Sequence, residues 1–202
     1  MARKLIVLAL AALLGLAVVG VANARWFNVI RGTRNADVLV GTDNRDLVLG
    51  FAGDDQISAG GRGDIVYGGR GNDTVDGGQG FDRLFGGPGN DTLIAGDGGS
   101  IIWGGYGNDS ITGGTGRNWL HGGRGDDSVV GGPYRDHLWG GFGVDTENGG
   151  DGNDVLHSLA PDGQVDTLDC GAGDHDVAWI RQGEPDVVVN CEVVKTLAPS
   201  TP

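Results

Sequence analysis

From Gly32 to His157 the chain divides into fourteen consecutive nonapeptides with no insertion between them. Gly68-Gly69-Arg70-Gly71-Asn72-Asp73-Thr74-Val75-Asp76 is a clear copy, and Gly86 to Ile94 and Gly104 to Thr112 repeat it. The first position is Gly in twelve copies, Ala59 and Ala95 being the exceptions. The sixth is Asp in twelve: Asp37, Asp46, Asp55, Asp64, Asp73, Asp82, Asp91, Asp109, Asp127, Asp136, Asp145 and Asp154. Ser100 and Asn118 break that run. The eighth position is apolar in thirteen copies, from Leu39 and Val48 to Leu138 and Leu156, and only Glu147 departs. A short period that holds three columns in phase over 126 residues is the signature of a stacked solenoid.

The columns can be read physically. Glycine at positions 1, 2 and 4 permits positive φ and lets backbone carbonyls turn toward one point. Those positions take 33 of the 42 glycines, which make up a fifth of the chain against an ordinary share of about 7%. Collagen is excluded, because it needs glycine at every third position with abundant proline and there are only 6 prolines. Ordinary disorder is excluded by 39% hydrophobic residues. Six residues of turn are followed by a three-residue strand. Its middle member points inward, and positions 7 and 9 point out. Two nonapeptides close an 18-residue coil, so the expected fold is all-β: two parallel sheets in a solenoid of about seven coils, roughly 34 Å long at ~4.8 Å per strand.

Charge narrows the partners. Asp and Glu number 27 against 14 Lys and Arg, a net charge of −13. Nucleic acid is ruled out as a partner, since phosphate affinity comes from neutralisation by Lys and Arg. Each apolar core position stands beside a column of closely spaced aspartates that repel one another, so something must neutralise the turns. A carboxylate among freed carbonyls, without imidazole or thiolate, is an all-oxygen site that suits calcium. Magnesium fits less well, because it holds its waters and demands a strict octahedron.

The pattern G-G-x-G-x-D-x-U-x, with U aliphatic, resembles the nonapeptide of the repeats-in-toxin (haemolysin-type) calcium-binding proteins. The resemblance covers residues 32–157. It implies a parallel β-roll with calcium held between turns of successive coils on each edge. It also implies coupled folding, from a disordered metal-free chain to an ordered calcium form. Toxin and protease members of that family carry catalytic or pore-forming domains. No Ser-His-Asp, Cys-His or paired-carboxylate constellation stands apart from the repeat here, so no toxin activity or catalysis is expected.

Residues 1–24 do not belong with the rest. Arg3 and Lys4 precede an apolar run from Leu5 to Val21, and Ala22-Asn23-Ala24 follows. That order reads as a secretory signal peptide rather than a membrane anchor, so no stable span is expected after cleavage. Loss of its two basic residues takes the net charge from −13 to −15. An exported chain keeps disulfides, and Cys170 and Cys191 are the only cysteines. Neither a second ligand cluster nor a base motif accompanies them, so a structural disulfide is expected. Residues 25–31, with Trp26, Phe27, Val29 and Ile30, would cover one end of the solenoid. Residues 158–202 lose the register. Within them Cys170 to Asp176 looks like a degraded repeat with its acid one place late, Asp186–Val189 and Glu192–Val194 look like short strands, and Pro199–Pro202 reads as a loose tail. A disulfide-pinned C-terminal cap is expected there.

The two edges differ. Turns starting at residues 32, 50, 68, 86, 104, 122 and 140 all carry Asp, which leaves up to six gaps for ions on this first edge. The second edge, starting at 41, carries both Ser100 and Asn118. Full occupancy is expected on the first edge, and weak or missing calcium in the middle of the second. The outer faces differ as well. One sheet shows mainly small polar residues such as Thr74, Asp76, Thr92, Thr112 and Ser128. The other shows Tyr67, Phe85, Trp103, Trp119 and Trp139, with His121 and His137 beside them. Such an exposed apolar ladder marks a docking or self-association surface, unless the C-terminal segment covers it or cross-strand stacking only stiffens the sheet. The two histidines suit surface stacking better than a transition-metal pair. The Asn-Asp-Thr and Asn-Asp-Ser triplets match a glycosylation sequon but arise from the repeat.

The sequence therefore predicts a secreted calcium-binding β-roll that acts as a structural, surface or interaction module. The alternatives are an ice- or surface-binding protein that uses a flat sheet face, and a non-catalytic calcium-dependent adhesin.

Overall fold

The computed structural model describes residues 22–23 and 27–198. The signal-peptide expectation for residues 1–24, apart from Ala22 and Asn23, lies outside the described residues, as do Trp26 and the tail at 199–202.

All regular structure among the described residues is strand. An eleven-stranded sheet runs from Ala22–Asn23 to Val193–Leu197, and a nine-stranded sheet from Val38–Thr42 to Val187–Val189. From Asn28–Arg31 onward successive strands of the chain alternate between the sheets, so neighbours in a sheet are one coil apart. Ile101 pairs with Trp119, and Ile111 with Val129, each a step of 18 residues. All pairing described is parallel except Ala22–Asn23 against Asn28 and Val29, which opens the larger sheet. The chain is a two-sheet parallel β-solenoid of about nine turns.

Alternation within each strand puts the eighth position of every repeat inside. Val48, Val66, Leu84, Ile102, Leu120, Leu138 and Leu156 line one wall of the core. Leu39, Ile57, Val75, Leu93, Ile111 and Val129 line the other, and all are buried. Glu147 occupies the next place in the second column and is itself fully buried. Its Oε1 accepts the Gly140 N–H at 2.5 Å and its Oε2 the His157 N–H at 3.2 Å. Elsewhere the position-1 N–H donates to a strand carbonyl one coil on, as Gly77 does to Ile94. The glutamate supplies the missing acceptor where the chain leaves the regular coil after residue 157.

The parallel register continues past that point, further than the nonapeptide count extends. Thr167–Asp169 pairs with Thr146, Glu147 and Asn148, and Val177–Arg181 pairs with Val155–Ser158. Val187–Val189 and Val193–Leu197 add one more rung to each sheet. Leu168 and Ala178 extend the core columns and are fully buried. The extra residues lie in the turns, where added length disturbs no ladder bond. Cys170 and Cys191 form a disulfide, with Cα atoms 5.1 Å apart, that ties two successive turns of the second edge.

Candidate metal centre

Each sixth-position residue stands where a turn enters a strand, and its backbone N–H points along the solenoid axis to the next coil. On the first edge the N–H of Asp37 donates to Oδ1 of Asp55 at 2.8 Å. The same bond recurs from Asp55 to Asp73, Asp73 to Asp91, Asp91 to Asp109, Asp109 to Asp127 and Asp127 to Asp145, each at 2.8 Å. It then continues from Asp145 to Asp166 at 2.9 Å and from Asp166 to Asp186 at 3.2 Å. On the second edge the chain of bonds passes through Asp46, Asp64, Asp82, Ser100, Asn118, Asp136, Asp154 and Asp176 to Glu192. All twelve sequence-selected aspartates thus fall into two columns, each at most 5% exposed.

Asp166, Asp176, Asp186 and Glu192 join these columns without having been picked out as ligands. A local signal was present: Asp166-Thr167-Leu168-Asp169 copies Asp73-Thr74-Val75-Asp76. The spacing hid it, because Asp145 to Asp166 spans 21 residues and Asp154 to Asp176 spans 22.

The second carboxylate oxygen carries the chemistry. Oδ2 of Asp55, Asp64, Asp73, Asp82, Asp91, Asp109, Asp127, Asp136, Asp145, Asp154 and Asp176 is buried and has no hydrogen-bond partner. In the middle of the first edge it lies against the position-1 glycine of its own turn. The carbonyl oxygen of the next coil's position-1 glycine reaches the same place. A Cβ on Gly86 would collide with Asp91 Oδ2 and lie 2.7 Å from Gly104 O, and Gly104 meets Asp109 Oδ2 and Gly122 O in the same way. Two oxygens therefore converge beside each such glycine. An orphaned, buried anionic oxygen is costly unless a cation or proton meets it. Among the described residues no three His, Cys, Asp or Glu side chains converge on one point. A cation here would draw on pairs of carboxylates and on turn carbonyls.

Burial pushes these carboxyl groups up. The backbone N–H bond from the preceding coil pulls them partly back, and at Asp64, Asp73, Asp127 and Asp145 neighbouring carboxylates add to the rise. The result is about 7 at Asp64, Asp73, Asp127, Asp136, Asp145 and Asp154, and about 6 at Asp82, Asp91 and Asp109. Groups this close to neutrality hold a proton or a cation readily.

The ends of the columns are satisfied differently. Thr33 and Thr42 replace glycine at position 2 of the first two repeats, and their N–H groups donate to Oδ2 of Asp37 at 2.5 Å and of Asp46 at 2.6 Å. At the far end of the first edge Ser158 stands at the position-1 place. Its hydroxyl lies 2.7 Å from Asp166 Oδ2 and 2.8 Å from Asp186 Oδ2.

On the outer face of the larger sheet, Tyr67, Phe85, Trp103, His121, Trp139 and His157 stack in one column with ring centroids 4.2 to 5.9 Å apart and planes within 8°. Trp119 stacks on His137 at 6.1 Å in the adjoining column. The rings cover one another's faces and present their edges to solvent. The described C-terminal residues lengthen this sheet instead of folding across it.

The sequence profile of the RTX calcium-binding nonapeptide repeat (4 copies) matches residues 31–66, 49–84, 67–102, 85–120, 103–133 and 121–156. A comparison with curated proteins finds no match. Among the described residues no helix is long and apolar enough to cross a membrane.

Proposed function

The chain belongs to the RTX calcium-binding nonapeptide-repeat family, and from that premise we propose that it binds calcium in the gaps between successive turns, through the sixth-position aspartates. The family supports a calcium-binding structural module. Our assignment of ligands rests on one observation above the others: the buried Oδ2 oxygens that have no hydrogen-bond partner, each in a turn of glycines and carbonyls. These residues fit a hard divalent cation, since the donors are all oxygen and the orphaned ones are anionic. Calcium, when bound, supplies the positive charge that lets a column of carboxylates remain ionised while buried. The chain's own residues do the rest. The position-1 glycines leave room beside Oδ2, the N–H of the preceding coil fixes Oδ1, and the aliphatic column sets the coil spacing.

Asp37, Asp55, Asp73, Asp91, Asp109, Asp127 and Asp145 would serve the first edge, and Asp46, Asp64, Asp82, Asp136 and Asp154 the second. Asp176, whose Oδ2 is also without a partner, extends the second series, whereas Asp166 Oδ2 is met by the Ser158 hydroxyl. Residues 1–24 would direct export and be removed, residues 25–31 would cover the first coil, and the disulfide-tied rungs beyond residue 157 would close the other end. The Cys170–Cys191 bond is what an oxidising compartment permits. Because the family supports a calcium-binding structural module, a structural or interaction role is the reading we adopt.

Ice binding is the less favoured alternative. One outward column of the smaller sheet begins with Val38 and Gln56 and is regular only after them, with Thr74, Thr92, Ser110, Ser128 and Thr146 exposed in register. The adjoining column, however, mixes Val40, Asp76, Val130 and Asn148. Thermal hysteresis measured with calcium present would favour that alternative.

Circular dichroism and calorimetry of the protein titrated with calcium, then with magnesium, test the central reading. A β signal should grow with calcium at several ions per chain and only weakly with magnesium. An unchanged spectrum with no binding heat would overturn it.

A further inference from the structure

The second edge loses its carboxylate at Asn118, yet the turn there is closed. Asn118 is fully buried. Its Nδ2 donates to Gly116 O at 2.9 Å, Gly114 O at 3.3 Å and Asp136 Oδ1 at 3.0 Å, and its Oδ1 accepts the Ser100 N–H at 2.9 Å. In the regular turns of the first edge an acceptor without a partner occupies the space beside the position-1 glycine. At Gly113 that space holds a donor: a Cβ there would lie 2.8 Å from Asn118 Nδ2 and would collide with Gly131 O.

The backbone is rearranged to match. In the other seven Gly-Gly-x-Gly turns both inner glycines are left-handed, whereas Gly114 and Gly116 are not. With that change the Gly116 N–H turns to Gly98 O at 3.0 Å, and the Gly98 N–H is taken by the Thr115 hydroxyl at 3.2 Å. The Gly98 carbonyl, one gap back between turns 95–100 and 113–118, thus receives an N–H of the chain itself, and the Gly114 and Gly116 carbonyls receive the Asn118 amide.

We propose that the Asn118 amide takes the place of a calcium ion in the gap between turns 113–118 and 131–136, so that this gap binds no cation. The inference rests on the calcium reading above. A neutral donor with two hydrogens stands where the regular turn has an unpartnered anionic oxygen, and it satisfies the turn carbonyls of Gly114 and Gly116 without adding charge; Asp136 Oδ1, which it also reaches, already accepts the Asn118 N–H at 2.6 Å. The second edge is thereby divided into two ion-binding stretches joined by a staple of protein atoms. Loss of a carboxylate alone would predict a weak site here; an amide bonded to three oxygens predicts none.

Calcium counting and ion location test this. In a calcium- or terbium-loaded crystal of the wild-type protein, anomalous density should fall in the first-edge gaps and be absent between Asn118 and Asp136. N118D should bind one more calcium per chain than wild type. N118A should bind the same number as wild type, but with a lower melting temperature in calcium. An ion beside Asn118 in the wild type overturns the proposal, as does an unchanged count in folded N118D or an unshifted melting temperature in N118A. Should N118D fail to fold, the wild-type ion positions decide alone. A wild-type protein that binds no calcium anywhere removes the calcium reading and this inference with it, a result distinct from an ion found beside Asn118.

Discussion

The two edges of the solenoid solve one problem by different means. Every turn brings buried oxygens together, and each must meet positive charge, a proton or a hydrogen-bond donor. The first edge repeats one answer: carboxylates from Asp37 to Asp145 in unbroken order, with position-1 glycine in every turn. The second edge is a mixture. It has alanine at Ala59 and Ala95, a hydroxyl at Ser100, an amide at Asn118 and a disulfide at its end. A uniform edge presents the same carboxylate and glycine turn throughout. A mixed edge keeps some of its turns closed by the chain alone, and the common aliphatic core holds both in register.

The widest effect expected is that of pH on the calcium-free protein. Carboxyl groups raised by burial bind protons more tightly in the roll than in the unfolded chain. Their contribution is therefore fully present below the ordinary value of 3.8 and is lost as pH rises through about 6 to 7. In a calcium chelator the β signal should be present near pH 5, fall away by pH 7.5, and return when calcium is added. The first edge supplies seven raised groups, counting Asp166, and the second five, counting Asp176. N118D should therefore steepen the loss. A metal-free β signal that grows with rising pH would contradict the assignment.

Next come matched substitutions on the two edges. Asp109 is shared by two gaps, so Asp109→Ala should release two ions. A site held at a hundred times its dissociation constant contributes about 2.7 kcal/mol, so the loss would be about 5 kcal/mol in calcium. Ser100→Ala removes only a weak acceptor, 3.3 Å from the Asp82 N–H, and should cost about 1 kcal/mol and no ion. Equal losses from the two variants, measured by chemical denaturation in saturating calcium, would erase the distinction between the edges.

The far ends compare in the same way. Reduction of Cys170–Cys191, which closes a short loop on the second edge, should cost about 3 kcal/mol. On the first edge Ser158→Ala removes a hydroxyl set between two carboxylates, and should cost about 1.5–3 kcal/mol. Calcium should recover part of the Ser158→Ala loss, because an ion can take the hydroxyl's place, and none of the disulfide loss. Melting curves of both forms, with and without excess calcium, check this.

Much of this was written in the repeat itself. The phase of Leu39, Val48 and their successors fixed which side chains enter the core, and the Asp column fixed which turns face which edge. Both follow from a strand's period of two and a coil of 18 residues. The acids beyond residue 157 escaped because counting by nines assumes that turns keep their length. The structure conserves strand register instead, and insertions pass into the turns. Asp176 was visible as an acid one place late, but nothing in a linear pattern places it under Asp154. The roles of Thr33, Asn118 and Ser158 were less legible still. Each reads as a lapse from the consensus, and only the direction of its donors shows what it replaces.

The smallest difference concerns a second, outer ladder. At position 5 of the first edge, Asp54, Asn72, Asn90, Asn108 and Asp126 each accept, through a side-chain oxygen, the N–H one coil on, at 2.7 to 3.0 Å. On the second edge this position holds Arg45, Gly63, Phe81, Gly99, Arg117 and Arg135. Among the described residues only Asn153 repeats the bond there, to the Asp174 N–H at 3.3 Å. The outer ladder braces the first-edge turns from the solvent side, where water competes for every bond. Asn90→Ala should cost about 0.5–1 kcal/mol and speed exchange of the Asn108 amide, while Arg117→Ala should change stability by under about 0.5 kcal/mol. The ion count should be unaltered in both, since neither side chain reaches the buried oxygens. If Asn90→Ala lost calcium as Asp109→Ala is expected to, the outer ladder would belong to the metal sites, and the uniformity of the first edge would extend to two columns instead of one.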